Sequence, residues 1–271
     1  MSYKLIALDI DGTLLNSRKQ LPAETVIAVQ KACAAGKIVA FDTGRAVSEL
    51  QDLSLLLPEV RYAVFASGAG IYDLHCKKAS ALRGIPRGQA EFIFSVVRPK
   101  DVMPQIVLPD EDVIQASHME QLEHFHMGVY RPLYRKAMTL VPDLYAFAAA
   151  CREEMLKINL YHADPAERIR TREQLSSLDI EKAYSEVSSL ECSACGVDKG
   201  TGLLNLCREL GIAPEECIAV GDADNDLPML RTAGLGIAMG NAAEHIKTAA
   251  DLVVSDLDRG GCAQAVLRLL S

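Results

Sequence analysis

The sequence predicts an α/β fold in which a parallel sheet is interrupted by an inserted α+β module. Three observations carry that prediction. Short apolar runs of β period alternate with longer helical stretches over residues 4–66. The same alternation resumes at about Lys199 and continues to the end. Between them the pattern is cut into short pieces by Pro86, Pro99, Pro104, Pro109, Pro132 and Pro142. Alternating strands and helices imply a parallel sheet with right-handed crossovers. The expected division is a core of residues 1–81 and 191–271 around an insertion of residues 82–190. At 271 residues the chain can bury two modest cores.

Each element follows from local signals. Lys4 to Ile10 reads as the first strand, and Pro22 suits the first turn of a helix that Gly36 stops. Val26, Ile27, Val29, Ala32 and Cys33 supply its apolar positions. A second strand over Ile38–Thr43, a helix over Ala46–Leu56 and a third strand over Tyr62–Ala66 complete the first half. Within the insertion, Leu156–Tyr161 reads as a strand and Pro165–Leu178 as a helix. The last third opens with a helix over Lys199–Leu210, ended by Gly211, and a strand over Ile218–Gly221. It continues with a helix at Leu227–Ala233, a strand at Leu235–Ala238 and a helix at Ala242–Ala249. A strand at Leu252–Val254 and a helix at Ala263–Leu270 close it.

Composition excludes several classes. A net charge of −8 with no basic stripe argues against nucleic acid or an anionic membrane as partner. No apolar stretch approaches the ~20 residues that span a bilayer, and Met1-Ser2-Tyr3-Lys4 offers no signal peptide. A cytoplasmic protein is expected, as a monomer or small homo-oligomer. Eight cysteines in a chain of this size read as reduced thiols, with Cys33, Cys207 and Cys217 in apolar patterns. Cys192-Ser193-Ala194-Cys195 is one CxxC without a second pair, and His118, His124 and His126 read as solvated.

Four stretches carry chemistry. Asp9-Ile10-Asp11-Gly12-Thr13 follows the apolar run Leu5–Leu8. Two carboxylates at the end of a buried strand repel each other and cost several kcal/mol unless a proton or cation intervenes. A divalent metal with hard oxygen ligands, such as Mg²⁺, resolves the conflict. The carboxyl ends of strands are where open α/β sheets bind ligands. Thr43-Gly44-Arg45 ends the second strand, where a hydroxyl and free N–H groups suit phosphate oxygens. Lys199 falls in a helix's first turn, against the dipole, which suggests an anionic partner, although taken alone it reads as a solvated lysine. Gly221-Asp222-Ala223-Asp224-Asn225-Asp226 places further acids after an apolar strand. Together these supply a nucleophile, a cation site and donors, the inventory for phosphoryl transfer.

In this order, the stretches Asp9–Leu15, Thr43–Arg45, Lys199–Thr201 and Gly221–Leu230 resemble the haloacid dehalogenase-like phosphohydrolases. The resemblance is to the Cof-type branch, with a C2 (type IIB) α/β cap inserted between the second and third motifs. Leu190-Glu191 and Gly234–Ala242 add to it, and it covers the whole core but is weak in the cap. It implies a Rossmann-like core and a Mg²⁺-dependent phosphatase acting on a small phosphorylated metabolite. Asp9 would be the nucleophile and Asp11 the general acid and base. Thr43, Gly44, Lys199 and Asn225 would hold the phosphoryl group. Asp9, Asp11 through its carbonyl, Asp222 and Asp226 would serve the metal. Arg45, Arg131, Arg135 and His126 read as surface groups. Two positions depart from the branch: Asp42 stands where a small apolar residue is usual, and Ser67 where asparagine is. Asp42 should point away from phosphate and needs its own hydrogen-bond partner. A phosphosugar mutase shares the roles of Asp9 and Asp11, but similarly capped mutases lack the Thr-Gly-Arg form. A non-catalytic phospho-ligand binder has no need of a positioned nucleophile and acid.

Overall fold

A computed structural model describes residues 3–270. Strands β1–β5 are Leu5–Leu8, Ile38–Asp42, Tyr62–Phe65, Gly70–Asp73 and Lys78–Ser80. Strands β6–β11 are Val102–Val107, Asp112–Gln115, Met138–Val141, Lys157–His162, Ile180–Ala183 and Ser189–Ala194. Strands β12–β14 are Cys217–Gly221, Leu235–Ala238 and Leu252–Val253.

The chain divides into two compact units. The first comprises residues up to Gly44, Gln51–Ala81 and those from Asp198 onward. Its sheet runs β14-β13-β12-β1-β2-β3-β4-β5. The six strands from β14 to β3 are parallel, as the alternating pattern predicts, whereas β4 and β5 are antiparallel. That hairpin was not legible, because its few residues carry no sustained period. β1 lies inside the sheet with all four residues buried, so it reads as a continuous apolar run. Leu5 and Ala7 pack against Leu203, Leu206, Met229 and Leu230 from the helices Lys199–Leu210 and Leu227–Thr232. Strand alternation sends Ile6 and Leu8 to the opposite face.

Local signals set the boundaries. The first helix runs Ala23–Ala34 with Pro22 at its N-cap, and the chain passes through Gly36 at φ +76°. The helix Lys199–Leu210 begins with a capping box, in which the Asp198 carboxylate accepts from the Thr201 N–H and the Thr201 hydroxyl accepts from Asp198 N–H. Gly211 ends it in the left-handed conformation at φ 63°. The segment expected as a helix over Ala46–Leu56 divides into a 3₁₀ turn, Val47–Leu50, and a short α-helix, Gln51–Leu56.

The second unit comprises Arg45–Leu50 and Leu82–Val197. Its sheet runs β10-β11-β9-β6-β7-β8 and is antiparallel except for the β7–β8 pair. β9 and the helix Glu167–Gln174 match the strand and helix expected there. β11 crosses the boundary expected after residue 190, because it pairs with both β9 and β10. One core packs Ile93, Val97, Ile106, Ile158 and Leu190, and another packs Met103, Phe125, Tyr130 and Tyr161. β9 also buries Lys157, whose Nζ lies 2.9 Å from Glu191 on β11.

All eight cysteines are free. Cys207 and Cys217 are buried, but Cys33 is only half-buried. Burial pushes the Cys192 thiol up to about 12, so the CxxC cysteine on β11 is unreactive. His124 is exposed and reaches Asp101, and His126 bonds the Ala163 carbonyl. Among the described residues, no helix is long and apolar enough to cross a membrane.

Candidate active site

The register of the first sheet assembles the site. β1 pairs with β12 so that Leu8 faces Val220, and the Asp9 N–H donates to the Val220 carbonyl at 3.0 Å. The two chains then leave the sheet side by side, which brings Asp9 to Asp222. The backbone turns sharply at Gly12, φ +94°, where any Cβ would collide with the Asp222 carboxylate. A 3₁₀ turn at Asp224–Asp226 folds Asp226 back toward β12. Its Oδ2 accepts from the N–H groups of Asp222 and Ala223 at 2.8 and 2.9 Å.

Carboxylate oxygens of Asp9, Asp222 and Asp226 all lie within 4.8 Å of one another. Lys199, projected from the first turn of its helix, reaches into this group. Its Nζ is 2.6 Å from Asp9 Oδ1 and 2.6 Å from Asp226 Oδ1. Lys199 and Asp226 are 1% and 0% exposed, so neither charge is met by water. Burial alone works against the lysine's charge, but Asp226, Asp9 and Asp42 outweigh it and hold the ammonium well above its usual range. Burial raises Asp9 well above the ordinary carboxyl range, with Asp226 and Asp222 adding to the effect of desolvation against Lys199. Asp222 is pushed up to about 7 by burial first and by Asp226 second. Three acids against one ammonium leave the cluster short of positive charge. A divalent cation bound by oxygen ligands fits that deficit and the donor set.

A family model for haloacid dehalogenase-like hydrolases matches residues 6–266. The chain belongs to this family. The phosphatase YwpJ of Bacillus subtilis (strain 168) is 30% identical over 98% of this chain and 100% of its own length. The HMP-PP phosphatase of Serratia proteamaculans (strain 568) is 28% identical over 91% of this chain and 87% of its own. A solved haloacid dehalogenase-like hydrolase from B. subtilis superposes with a TM-score of 0.86 at 26% identity, covering 97% of this chain and 98% of that one. This hydrolase is a phosphatase, as those relatives are.

The other expected residues of the hydrolase take varied positions. Thr43, 2% exposed, sits at the end of β2, with its N–H on Val64 and its carbonyl accepting from Ser67. Ser67 is held at φ 57°. Gly44 follows Thr43 at the limit of the first unit. Asn225 shares the turn with Asp226 but makes no side-chain hydrogen bond to Asp9 among the described residues. The Asp11 carboxylate is not part of the acidic cluster. One of its partners is Lys19, at 2.9 Å, which the sequence reading did not single out. Arg131 binds Glu123 and the Met119 carbonyl, in keeping with a surface role.

Two residues hold Asp222 that the sequence reading gave no role there. The Thr13 hydroxyl donates to its Oδ1 at 2.9 Å, and Asn241 Nδ2 to its Oδ2 at 3.2 Å. Asn241 also donates to the Gly12 carbonyl at 2.9 Å and accepts from Leu257 N–H at 3.1 Å. The available signal was the placement of Asn241 just after β13, at the carboxyl edge of the sheet.

Asp42 corrects an expectation. It is fully buried, and neither carboxylate oxygen has a hydrogen-bond partner. Desolvation raises its carboxyl well above the ordinary range; Lys199 opposes this, while Asp226, Asp9 and Asp198 reinforce it. Burial therefore disfavours the Asp42 carboxylate in the folded chain. The unfolded chain releases this proton above a pH of about 3.9, while the folded chain holds it to higher pH. Stability is consequently lost as pH rises from that value toward the folded-state pKa. Asp42→Val should raise the melting temperature, by more at pH 7.5 than at pH 4.5. Thermal unfolding at the two pH values checks this, and a gain independent of pH would contradict it.

Proposed function

We propose that this phosphatase hydrolyses a small phosphorylated metabolite through an aspartyl-phosphate on Asp9, with Mg²⁺ as cofactor. The observation that carries the reading is the convergence of Asp9, Asp222 and Asp226 on the buried Lys199 ammonium. In the first step an Asp9 carboxylate oxygen forms a bond to phosphorus. The bond to the leaving oxygen breaks, and Asp11 gives that oxygen its proton. In the second step Asp11 takes a proton from water, whose oxygen bonds to phosphorus and frees the Asp9 carboxylate together with inorganic phosphate. To protonate the leaving group Asp11 must carry a proton at the moment of attack, with the Lys19 ammonium 2.9 Å from its carboxyl.

Asp9, Asp222, Asp226 and the Asp11 carbonyl would hold Mg²⁺. Bound there, the cation neutralises charge on the phosphoryl oxygens and keeps Asp9 ionised beside its acidic neighbours. Lys199 opposes charge on the same group, and Thr43, Gly44 and Asn225 supply donors to its oxygens. The insertion of residues 82–190 would act as a cap that sets which leaving group is accepted. The relatives' names include a phosphatase of HMP-PP, in line with a small-metabolite substrate. A panel of phosphorylated sugars, sugar alcohols, nucleotides and vitamin phosphates, scored for released phosphate, tests the reading. Turnover of one subset is expected, and inactivity on the whole panel with Mg²⁺ present would count against it.

Asn241 and Thr13 fix both oxygens of Asp222, so they orient a proposed metal ligand. Loss of such an orienting partner typically costs ~10–100-fold in metal affinity. Asn241→Ala should raise the Mg²⁺ concentration for half-maximal activity by about that factor while leaving the rate at saturating Mg²⁺ largely intact. A Mg²⁺ titration of phosphate release reads both quantities, and an unchanged midpoint would remove Asn241 from the account.

A further inference from the structure

Within the second unit, the helices Arg87–Val97 and Leu144–Ala150 and the turn that follows the latter line a half-open cavity of about 640 Å³. Small-molecule sites fall at roughly 300–1,000 Å³. The cavity exists because its walls are short where the two helices face each other: Ala90, Ala148 and Ala149 present nothing beyond Cβ. Ile85, Phe94, Tyr145 and Met155 bring larger apolar groups to the wall. Phe94 and Tyr145 meet edge to face with ring centroids 6.0 Å apart, and Arg98 lies over the Tyr145 ring at 5.3 Å. Such a wall offers both ring faces and ring edges to a flat aromatic guest.

Charge selects the kind of guest. Three arginines, Arg87, Arg98 and Arg152, line the cavity against three glutamates, Glu91, Glu153 and Glu154. Arg87 is already occupied by Glu91 at 2.9 Å and the Ala149 carbonyl at 2.8 Å. The lining is balanced, with no surplus of either sign to draw in an ion.

We propose that this cavity is a binding site for a small, uncharged molecule built on an aromatic or fused-ring system. None of its residues takes part in the proposed phosphoryl transfer, so the site stands whether or not that reading does. A guest there touches both helices at once and stabilises the folded chain by mass action.

The test is a fluorescence titration of the full chain with N-phenyl-1-naphthylamine, an uncharged probe that brightens in apolar surroundings. Its anionic counterpart, 8-anilinonaphthalene-1-sulfonate, serves as the charge control. The proposal expects saturable binding of the uncharged probe at one site, a rise in melting temperature with probe present, and weaker binding of the anionic one. Ala148→Trp or Ser95→Trp, each placing an indole at the cavity wall, should weaken the uncharged probe at least tenfold with the circular dichroism unchanged. The absence of saturable binding would overturn the proposal, as would full affinity in both folded tryptophan variants. Tighter binding of the anionic probe, lost in Arg98→Gln, would overturn the assignment of an uncharged guest.

Discussion

Asp9→Asn should abolish phosphate release. Asp9 is 6% exposed, at the exit of β1, with one oxygen on Lys199 and with Asp222 and Asp226 beside it. An amide of the same shape fits the space, but its oxygen is a poor nucleophile and cannot form the acyl-phosphate link. Removing a single stabilising donor from an active site costs ~10²–10³-fold in rate, and losing the nucleophile should cost well beyond that. Initial rates of phosphate release from purified wild type and variant, with melting curves to show that both fold, measure it. A variant retaining a tenth of the wild-type rate would show that another group attacks phosphorus.

The second large effect falls on stability. Lys199→Ala removes the one ammonium that bridges Asp9 and Asp226, both buried. Breaking a buried ion pair from one side leaves the partner charge uncompensated and costs about 3–5 kcal/mol. Here two acids lose their partner together. In chelator, urea unfolding should show a loss of that size, and added Mg²⁺ should restore part of it by supplying positive charge to the same oxygens. Phosphate should also be held more weakly. A loss under about 1 kcal/mol, with unchanged kinetics, would mean that the lysine neither balances the acids nor meets the substrate.

Much of the first unit could be read from sequence because its parallel strands are short, largely apolar and separated by well-marked helices. The helix Lys199–Leu210 and the strand Leu235–Ala238 have the ends their punctuation predicts, with Gly211 as a left-handed stop in the first case. The acids Asp9, Asp222 and Asp226 were legible for a different reason: no packing argument places charges directly after buried strands. Side-chain partnerships across loops were not legible, since they depend on register and turn geometry. Lys19 reaches Asp11 only because a turn from Asn16 to Gln20 holds it at φ 56°. Asn241 reaches Asp222 from a separate loop. Asp42 was read as a residue that must find a hydrogen-bond partner, yet neither of its buried oxygens has one, and burial instead raises its carboxyl above the ordinary range. The second unit was the least legible, because its antiparallel strands mix apolar positions with buried polar ones such as Lys157, Gln105 and Asn159. Those residues interrupt the period on which strand recognition depends.

The most direct test is phosphate release by metal-stripped protein, followed as Mg²⁺ is returned. If the oxygens of Asp9, Asp222 and Asp226 share a divalent cation beside the reacting phosphoryl group, turnover should be absent in EDTA and should rise to a plateau with added Mg²⁺. Full turnover in chelator would contradict the account, because the acidic cluster would then be working without the cation that its excess of negative charge requires.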